Sequence, residues 1–352
     1  MHNARRSMWA VVFACCFLPA VITVSDRDHR NDAAQSSNSP ISCTAKFCLR
    51  DSSLVIVKIP ENFIEINEKG ITGIDPFAFE FCNATEILMM TDNFLTTLSG
   101  GMLNGLRSLK VANFFNNKIT NIAPRTFDEL KELRDLELSQ NLLNGLETGV
   151  RNGLKKLQNL QLNGNPIILM HDAFTRLPNL RLLELTGARI SAIPRGSFNC
   201  LDRLQRLDLS WNQLSTIPGS RFEDLTHLEE LDLSSNLISS FHIDAFKGLT
   251  NVKYLWINEN RIGSLGDQEI FKWTPNLITV YLHNNPIRIL DLSVFRHMHS
   301  VSILPGFQIN SSKTVLKNFS NATTTTVNCV PSSPVDSSAP YKCSETYEVI
   351  QE

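Results

Sequence analysis

Side chains that could do catalytic or metal chemistry are scattered along this sequence. Its eight histidines include one close pair, His297 and His299, with no carboxylate or thiolate nearby. Two histidines alone make a weak metal site, so we interpret them as a solvated pair. The sequence contains no G-x-S-x-G, P-loop or H-E-x-x-H motif. We therefore predict no catalytic residues, no bound metal and no cofactor, and the chain is not predicted to be an enzyme.

Cysteine is the other reactive residue type, and most cysteines lie towards the ends of the chain. Two fall in an apolar amino-terminal segment, and the others are Cys43, Cys48, Cys82, Cys200, Cys329 and Cys343. Spacing alone cannot choose among their pairings. We expect one disulfide between Cys43 and Cys48 and a second between Cys329 and Cys343.

The amino-terminal segment has the layout of a secretory signal peptide. Arg5 and Arg6 precede an apolar run over residues 8–24, which gives way to a polar stretch. The run is short for a membrane span and Pro19 interrupts it, so a signal peptide over residues 1–24 is preferred to an anchor helix. We expect a secreted, extracellular protein with no membrane span and a disordered linker over residues 25–42.

Sequons and composition agree with an extracellular location. Asn-x-Ser/Thr sequons predict glycosylation at Asn83, Asn310, Asn318 and Asn321. The formal net charge is -2 and charged residues make up 19% of the chain, so there is no bulk attraction to polyanions. We therefore expect no nucleic-acid partner.

A repeat with a period of 24 residues organises most of the chain. Its units begin at Glu61, Thr85, Leu109, Leu133, Leu157, Leu180, Leu204, Leu228, Val252 and Leu277. Each unit follows L-x-x-L-x-L-x-x-N-x-L-x-x-L, and the alternation within L-x-L is typical of a strand. Successive strands stack in parallel about 4.8 Å apart, so the units build a curved solenoid.

This pattern resembles the typical-type leucine-rich repeat of extracellular proteins. The resemblance implies an α/β solenoid, a leucine-rich repeat horseshoe over residues 61–304. Its concave face is a parallel β-sheet of about ten repeats and its convex side is irregular. Residues 43–60 are then an amino-terminal cap, and residues 305–352 are a Ser/Thr-rich, mostly irregular tail.

Two columns of the repeat predict its interior. Asparagines satisfy backbone groups at the bend after each strand, at Asn93, Asn117, Asn141, Asn165, Asn212, Asn236, Asn260 and Asn285. Lys69 and Ala188 replace asparagine in two units, and at Ala188 we expect local loosening or an ordered water. A continuous aromatic spine on the convex side is expected from Phe79, Phe127, Phe174, Phe198, Phe222, Phe246, Phe271 and Phe295.

Two cysteines lie within the repeats. Cys82 and Cys200 are about 25 Å apart along the solenoid, too far for a bridge. Cys82 takes a leucine position and is interpreted as a buried, inert thiol, with pairing to the cap as the alternative. Cys200 lies on the convex edge, either as a shielded thiol or as an exposed one that links two chains. A monomer and a dimer therefore both stay open.

The outward positions of the strands predict the binding face. The central outward residues are Glu65, Met89, Asn113, Glu137, Gln161, Glu184, Asp208, Asp232, Trp256 and Tyr281. This acidic stripe runs to an aromatic end, and Trp and Tyr are typical binding anchors. The candidate partner-binding residues are Trp211, Tyr254, Trp256, Tyr281, His283, Glu137, Glu184, Asp208 and Asp232. The two aspartates have a structural alternative as default residues of an L-D-L-S strand, and the aromatic rings have one as a pair that stabilises the sheet.

The leading hypothesis is a secreted recognition protein that binds an extracellular protein or glycoconjugate through its concave face. The signal peptide, short cap and typical-type repeats resemble the secreted leucine-rich immune proteins of arthropods and Toll-like ectodomains. That resemblance implies a role in innate immunity, with complement-like thioester proteins as partners. The paired-cysteine coiled coil of many members is missing, so a coil-less member fits best. The alternative is an extracellular-matrix or signalling-ligand-binding structural protein.

Overall fold

The computed structural model describes the cap, the repeats and parts of the tail, over residues 41–44, 46–58, 61–146, 148–265, 269–287, 289–291, 294, 302–304, 315–317, 324–331 and 341–348. For the strands beyond residue 288, the backbone alone is described. The predicted signal peptide and most of the predicted linker lie outside the described residues, as do Phe295, His297, His299, Asn310, Asn318 and Asn321.

A small sheet forms the amino-terminal cap. It contains β1 (Ile41–Cys43), β2 (Phe47–Arg50), β3 (Ser53–Val57) and β5 (Gly73–Ile74) in that order. β1 and β2 are antiparallel, and their register places Cys43 directly opposite Cys48. β3 pairs in parallel with β5, which belongs to the first repeat. The cap therefore begins at Ile41, inside the predicted linker, and main-chain hydrogen bonds join it to the solenoid.

The repeats form one parallel sheet with a strand in each unit. The strands are β4 (Phe63–Glu65), β6 (Ile87–Met89), β8 (Val111–Asn113), β10 (Asp135–Glu137), β11 (Asn159–Gln161), β12 (Leu182–Glu184), β13 (Arg206–Asp208), β15 (Glu230–Asp232), β17 (Tyr254–Trp256) and β18 (Thr279–Tyr281). They pair in chain order, and the register keeps equivalent residues side by side. The middle residue of each strand is buried, as at Leu207 and Leu255. The predicted leucine-rich repeat solenoid is confirmed.

The sheet continues beyond the predicted units. β20 (Ser302–Leu304) adds a further parallel strand beside β18. β23 (Tyr341–Glu348) pairs antiparallel with β20, and β22 (Thr324–Pro331) pairs antiparallel with β23. This register places Cys329 opposite Cys343. The expected tail was mostly irregular; strands form because pairing with an exposed sheet edge uses main-chain groups and needs no apolar side-chain pattern.

The convex side consists of turns and short strands. β7 (Thr97–Leu98) pairs with β9 (Asn121–Ile122), β14 (Thr216–Ile217) with β16 (Ser240–Phe241), and β19 (Ile289–Asp291) with β21 (Val315–Lys317). The sole helix in the described part of the chain is α1 (Thr148–Arg151). The described part of this predicted α/β solenoid therefore contains almost no helix.

The predicted asparagine ladder is confirmed by its hydrogen bonds. The Oδ1 atom of Asn236 accepts from the amide of Leu214 in the preceding unit at 3.0 Å. The Nδ2 atom donates to the carbonyls of Leu209, Leu233 and Ser234 at 2.9, 3.1 and 3.1 Å. Equivalent bonds surround Asn117, Asn141, Asn165, Asn212 and Asn260.

Ala188 interrupts this ladder without opening the interior. Ala188 is fully buried, and its own carbonyl accepts a hydrogen bond from the amide of Ile167 at 3.0 Å. The Ile167 amide also donates to the carbonyl of Asn165 at 2.9 Å. The main chain thus supplies the acceptor that an asparagine supplies elsewhere, and the expected loosening is not required.

The phenylalanine column packs the convex side but is not continuous. Every phenylalanine of the column within the described residues is buried. The rings of Phe174 and Phe198 stack with centroids 6.2 Å apart, and those of Phe246 and Phe271 at 5.5 Å. The prediction of an unbroken spine is wrong, because the equivalent position holds a leucine in the second unit and Arg151 in the fourth. Arg151 is buried at 5% exposure.

Candidate protein-binding face

The concave face is built from the first and third residues of each strand. Because side chains alternate along a strand, these residues point away from the buried middle residue between them. Register aligns the third residues across the sheet, so Asp208 lies beside Asp232 and Asp232 beside Trp256. The predicted acidic stripe and aromatic end therefore form one row on one face.

Three aromatic side chains meet at the carboxyl-terminal end of this row. The rings of Trp256 and Tyr281, on paired strands, are 5.2 Å apart at centroids with planes 9° apart. The Tyr254 ring lies 6.0 Å from Trp256 with planes 30° apart. All three side chains are partly exposed. We call Tyr254, Trp256 and Tyr281 the aromatic cluster.

The two other predicted binding residues of this region lie apart from the strands. His283 is two residues beyond Tyr281 and is partly exposed. Trp211 is three residues beyond the end of β13, two strands from Trp256. It has a left-handed φ of 56° and is 62% exposed. Trp211 therefore lies at the margin of the face, whereas His283 continues it.

Glu137 and Glu184 lie two strands apart with Gln161 between them. The Glu137 Oε1 atom accepts from the amide of Ser139 at 2.6 Å. Burial raises the pKa of Glu137, and the negative charge of Glu184 raises it further. Glu184 accepts hydrogen bonds from Gln161 at 3.3 Å and from Asn163 at 2.9 Å. These carboxylates make the middle of the face acidic.

Asp208 and Asp232 are largely committed to their own chain. They are 9% and 7% exposed. The Asp208 Oδ1 atom accepts from the Ser210 amide at 2.9 Å and its hydroxyl at 2.6 Å. Asp232 makes the same two bonds to Ser234. This geometry favours the structural alternative for both aspartates.

The concave face also carries an apolar area that was not predicted. Phe63, Ile87 and Val111 are aligned first residues of β4, β6 and β8. We call these three residues, together with Met89 and Phe115, the amino-terminal apolar patch. Phe63 is 45% and Phe115 38% exposed, and the others are partly exposed. The sequence carries this signal at the first outward position of the first three repeats.

The cysteines and the described sequon have clear environments. Cys82 is a buried free thiol, and burial raises its pKa to about 11. Cys200 is also free but exposed, so the interpretation of a shielded thiol is wrong. Its convex turn, with a φ of 65°, holds the residue outside the core. Asn83 is exposed, as a glycan acceptor must be.

No group of three His, Cys, Asp or Glu side chains among the described residues is placed to hold a metal ion. No helix within the described part of the chain is long and apolar enough to cross a membrane.

Sequence comparison identifies the repeats. Residues 115–167, 169–214 and 212–262 match the leucine rich repeat family model. No curated relative matches the chain. With the fold described above, these matches show that residues 115–167 and 169–262 are leucine-rich repeats.

Several solved structures contain chains of similar fold. A chain in the crystal structure of a TLR13-ssRNA13 complex has a TM-score of 0.63 and 24% identity, covering 72% of this chain and 42% of that chain. A chain in the octameric complex of Latrophilin 3, Unc5D and FLRT2 (LRR) has a TM-score of 0.56 and 27% identity, covering 64% and 68%. A chain in the Drosophila Toll-Spatzle complex has a TM-score of 0.60 and 23% identity, covering 68% and 32%.

The chain spans less than half the length of the TLR13-complex and Toll-complex chains that it matches. At 24% and 23% identity, these two likenesses establish a shared fold alone. A leucine-rich repeat solenoid is typically a binding scaffold, and its ligand depends on the residues of each face.

Proposed function

We propose that the chain is a secreted recognition protein that binds an extracellular protein through its concave face, in innate immunity. The aromatic cluster is the anchor of this interaction. The observation that carries the proposal is the stack of Tyr254, Trp256 and Tyr281, partly exposed on a rigid parallel sheet. Rigid aromatic side chains bind with little loss of conformational freedom, and Trp and Tyr dominate binding hot spots.

The solved structures of similar fold support a role in recognition. One is described as a complex of Toll with Spatzle, a hub in Drosophila development and innate immunity. Another is an assembly of the proteins Latrophilin 3, Unc5D and FLRT2. The TLR13 complex contains single-stranded RNA, but here Glu137 and Glu184 place negative charge on the central row, which opposes a phosphate backbone. A protein partner, including a complement-like protein, is therefore preferred.

The binding proposal is tested by changing the aromatic cluster. Trp256→Ala with Tyr281→Ala should weaken retention of the partner about tenfold or more, because the anchor rings are lost. The protein is immobilised and exposed to extracellular fluid, and retained proteins are quantified by mass spectrometry. The thermal midpoint should change little, because both rings are partly exposed.

The matched control is Phe81→Ala, which removes an aromatic ring that is 63% exposed outside the concave strands. This variant should retain the same proteins as the unchanged chain. A large fall in thermal midpoint with unchanged retention in the double variant contradicts the proposal and assigns the rings to sheet stability.

Secretion is a second part of the proposal. Cleavage after the predicted signal peptide, bridges Cys43–Cys48 and Cys329–Cys343, and glycans at the four predicted sequons are expected of the mature protein. The backbone registers place each cysteine pair opposite one another. Expression in insect cells, followed by intact and non-reducing peptide mass spectrometry of the medium, tests these features. Protein that stays inside the cells contradicts secretion.

The alternative role, as an extracellular-matrix or signalling-ligand-binding structural protein, has one specific support. The chain in the FLRT2-containing assembly has 27% identity to this one, and 68% of that chain is covered. Expression that rises after microbial challenge favours the immune role, whereas constant expression in connective tissue favours the alternative.

A further inference from the structure

The first outward position of the repeat changes character along the solenoid. It is apolar in the first three units, at Phe63, Ile87 and Val111. Beyond them the same position holds Asp135, Asn159, Leu182, Arg206, Glu230, Tyr254 and Thr279, most of them polar or charged. The fold thus accepts charged and polar side chains at this position, so the apolar residues are not a requirement of the strand.

The apolar side chains form one continuous surface. Register places the strand of Ile87 between the strands of Phe63 and Val111, and neighbouring strands are about 4.8 Å apart. Met89 follows Ile87 by two residues on the same face, and Phe115 lies diagonally across from Met89. With Phe63 at 45% and Phe115 at 38% exposure, the surface stays open beside the cap. Burying such a patch is favourable for a partner with matching apolar groups.

Carboxylates border the patch at both ends. Glu65 follows Phe63 on β4, and Asp135 lies opposite Val111 on β10. Glu65 accepts from Asn67 at 2.9 Å and Asp135 accepts from Asn159, so their hydrogen-bond donors are neutral amides. Among the described residues, no ion pair involves either carboxylate.

The nearby lysine is already neutralised. Lys110, next to Val111, pairs with Glu86 at 2.6 Å. The patch is therefore an apolar strip with a carboxylate at each end that is in no ion pair among the described residues. Two copies of this chain that met through the patch would bring like charges together, which opposes self-association.

We infer that the amino-terminal apolar patch is a second contact surface of the concave face. It takes a segment of the protein partner that carries apolar side chains between two basic residues. Glu65 and Asp135 are three strands apart, about 15 Å, which matches about ten residues of an α-helix. The basic residues of the segment face these carboxylates, and its apolar side chains cover Phe63, Val111 and Phe115.

This inference rests on the proposed use of the concave face, but it concerns a separate part of that face. Seven strand spacings separate β6 from β17, about 34 Å along the sheet. Variants of the patch and of the aromatic cluster can therefore be tested independently. The Trp256→Ala, Tyr281→Ala protein should bind a patch ligand as well as the unchanged chain does.

The test uses synthetic helical peptides of about 14 residues with leucine at one face. One peptide carries lysine at both ends of the leucine face, and a second carries glutamate there. Calorimetry should detect binding of the lysine peptide that weakens as salt rises, and binding of the glutamate peptide about tenfold weaker. Absence of lysine-peptide binding, or equal binding of both peptides, overturns the inference.

Two sets of variants locate the binding. Phe63→Ser with Phe115→Ser should weaken binding of the lysine peptide about tenfold. The control, Phe77→Ser with Phe81→Ser, changes rings that are 66% and 63% exposed and should leave this binding unchanged. Loss of binding in the control instead overturns the assignment. Circular dichroism checks that each variant is folded.

Charge reversal keeps the inference testable if the serine variants fold poorly. Glu65→Lys with Asp135→Lys should exchange the peptide preference, so that the glutamate peptide binds more tightly. An unchanged preference contradicts the role of the carboxylates. A concentration-dependent dimer in sedimentation that Phe63→Ser with Phe115→Ser abolishes makes a second copy the occupant, and this also overturns the inference.

Discussion

At the scale of single residues, the ladder asparagines hydrogen-bond to main-chain groups that the bends after the strands leave without partners. Asn236→Ala removes one acceptor and two amide hydrogens from buried backbone groups. The free energy of unfolding should fall by about 2–4 kcal/mol, because the Leu214 amide is left without its acceptor. Urea denaturation measures this change. Gln213→Ala, at an exposed position next to Leu214 in the preceding unit, is the control and should change stability by less than about 0.5 kcal/mol.

Ala188 shows that one unit folds without a ladder asparagine. There the Ile167 amide donates to the carbonyls of Ala188 and Asn165 instead of to a side chain. That solution accompanies a fifth unit one residue shorter than its neighbours. The unit before Asn236 has the full 24 residues. We therefore do not expect a main-chain carbonyl to replace the Asn236 side chain as the acceptor for the Leu214 amide. A loss near zero in Asn236→Ala would contradict this reasoning.

Glu137 makes stability depend on pH. Because its pKa in the folded protein is raised above the ordinary value of 4.5, the folded state binds more protons than the unfolded chain just above pH 4.5. Its contribution to stability is present below that pH and is lost as pH rises through the raised pKa. Glu137→Gln stays neutral at every pH and keeps an oxygen for the Ser139 amide.

Glu137→Gln should therefore be more stable than the unchanged chain at pH 7, and the difference should shrink as pH falls through the raised pKa towards 4.5. Urea titrations at pH 7 and pH 4 make the comparison. Glu65→Gln, exposed in the same row, should show little difference at either pH. A stability advantage of Glu137→Gln that grows at low pH would contradict a raised pKa of Glu137.

At the scale of elements, α1 and Arg151 mark an exception in the repeat. Arg151 takes a position of the phenylalanine column, and its Nη1 atom donates to the carbonyls of Asp172, at 2.5 Å, and Ala173. Burial lowers the pKa of Arg151. Arg151→Ala should lower the free energy of unfolding by about 2–4 kcal/mol, because it leaves a void and two carbonyls without this donor.

Thermal and urea unfolding measure the effect of Arg151→Ala. Arg134→Ala, exposed in the same unit, is the control and should lie within about 0.5 kcal/mol of the unchanged chain. Equal stability of the two variants would show that the Arg151 bonds contribute nothing net.

The strands of the repeats were predictable because each follows a local rule repeated at one spacing. L-x-L fixes which side chains point inward, and a constant period fixes register, so the rows of the concave face follow from sequence alone. The burial of Asp208 was not predictable from that rule, because it depends on the Ser210 bonds and on neighbouring strands. The phenylalanine gap at Arg151 was visible in sequence, but its carbonyl partners come from the next unit.

At the scale of the whole molecule, the described repeats form an array in which each unit contacts its neighbours. Units related by the period make the same bonds, so sequence predicts the array wherever the period holds. It predicts less at the ends. β20 and β23 join the sheet edge through main-chain bonds, which leave no periodic side-chain pattern. The amino-terminal apolar patch is likewise a property of three units together, and only their alignment makes it visible.

Whole-unit deletion tests the modular nature of the solenoid. Removing residues 204–227 should leave a folded protein, because the Ile190 amide, which now donates to Asn212, finds Asn236 at the same 22-residue offset that joins Leu214 to Asn236. The urea m-value should fall by about a tenth, since less surface is exposed on unfolding. Removing residues 204–215 breaks the period and should prevent cooperative unfolding. If both deletions behave alike, stability does not depend on the register between units. That register then does not hold the amino-terminal apolar patch and the aromatic cluster at a fixed spacing.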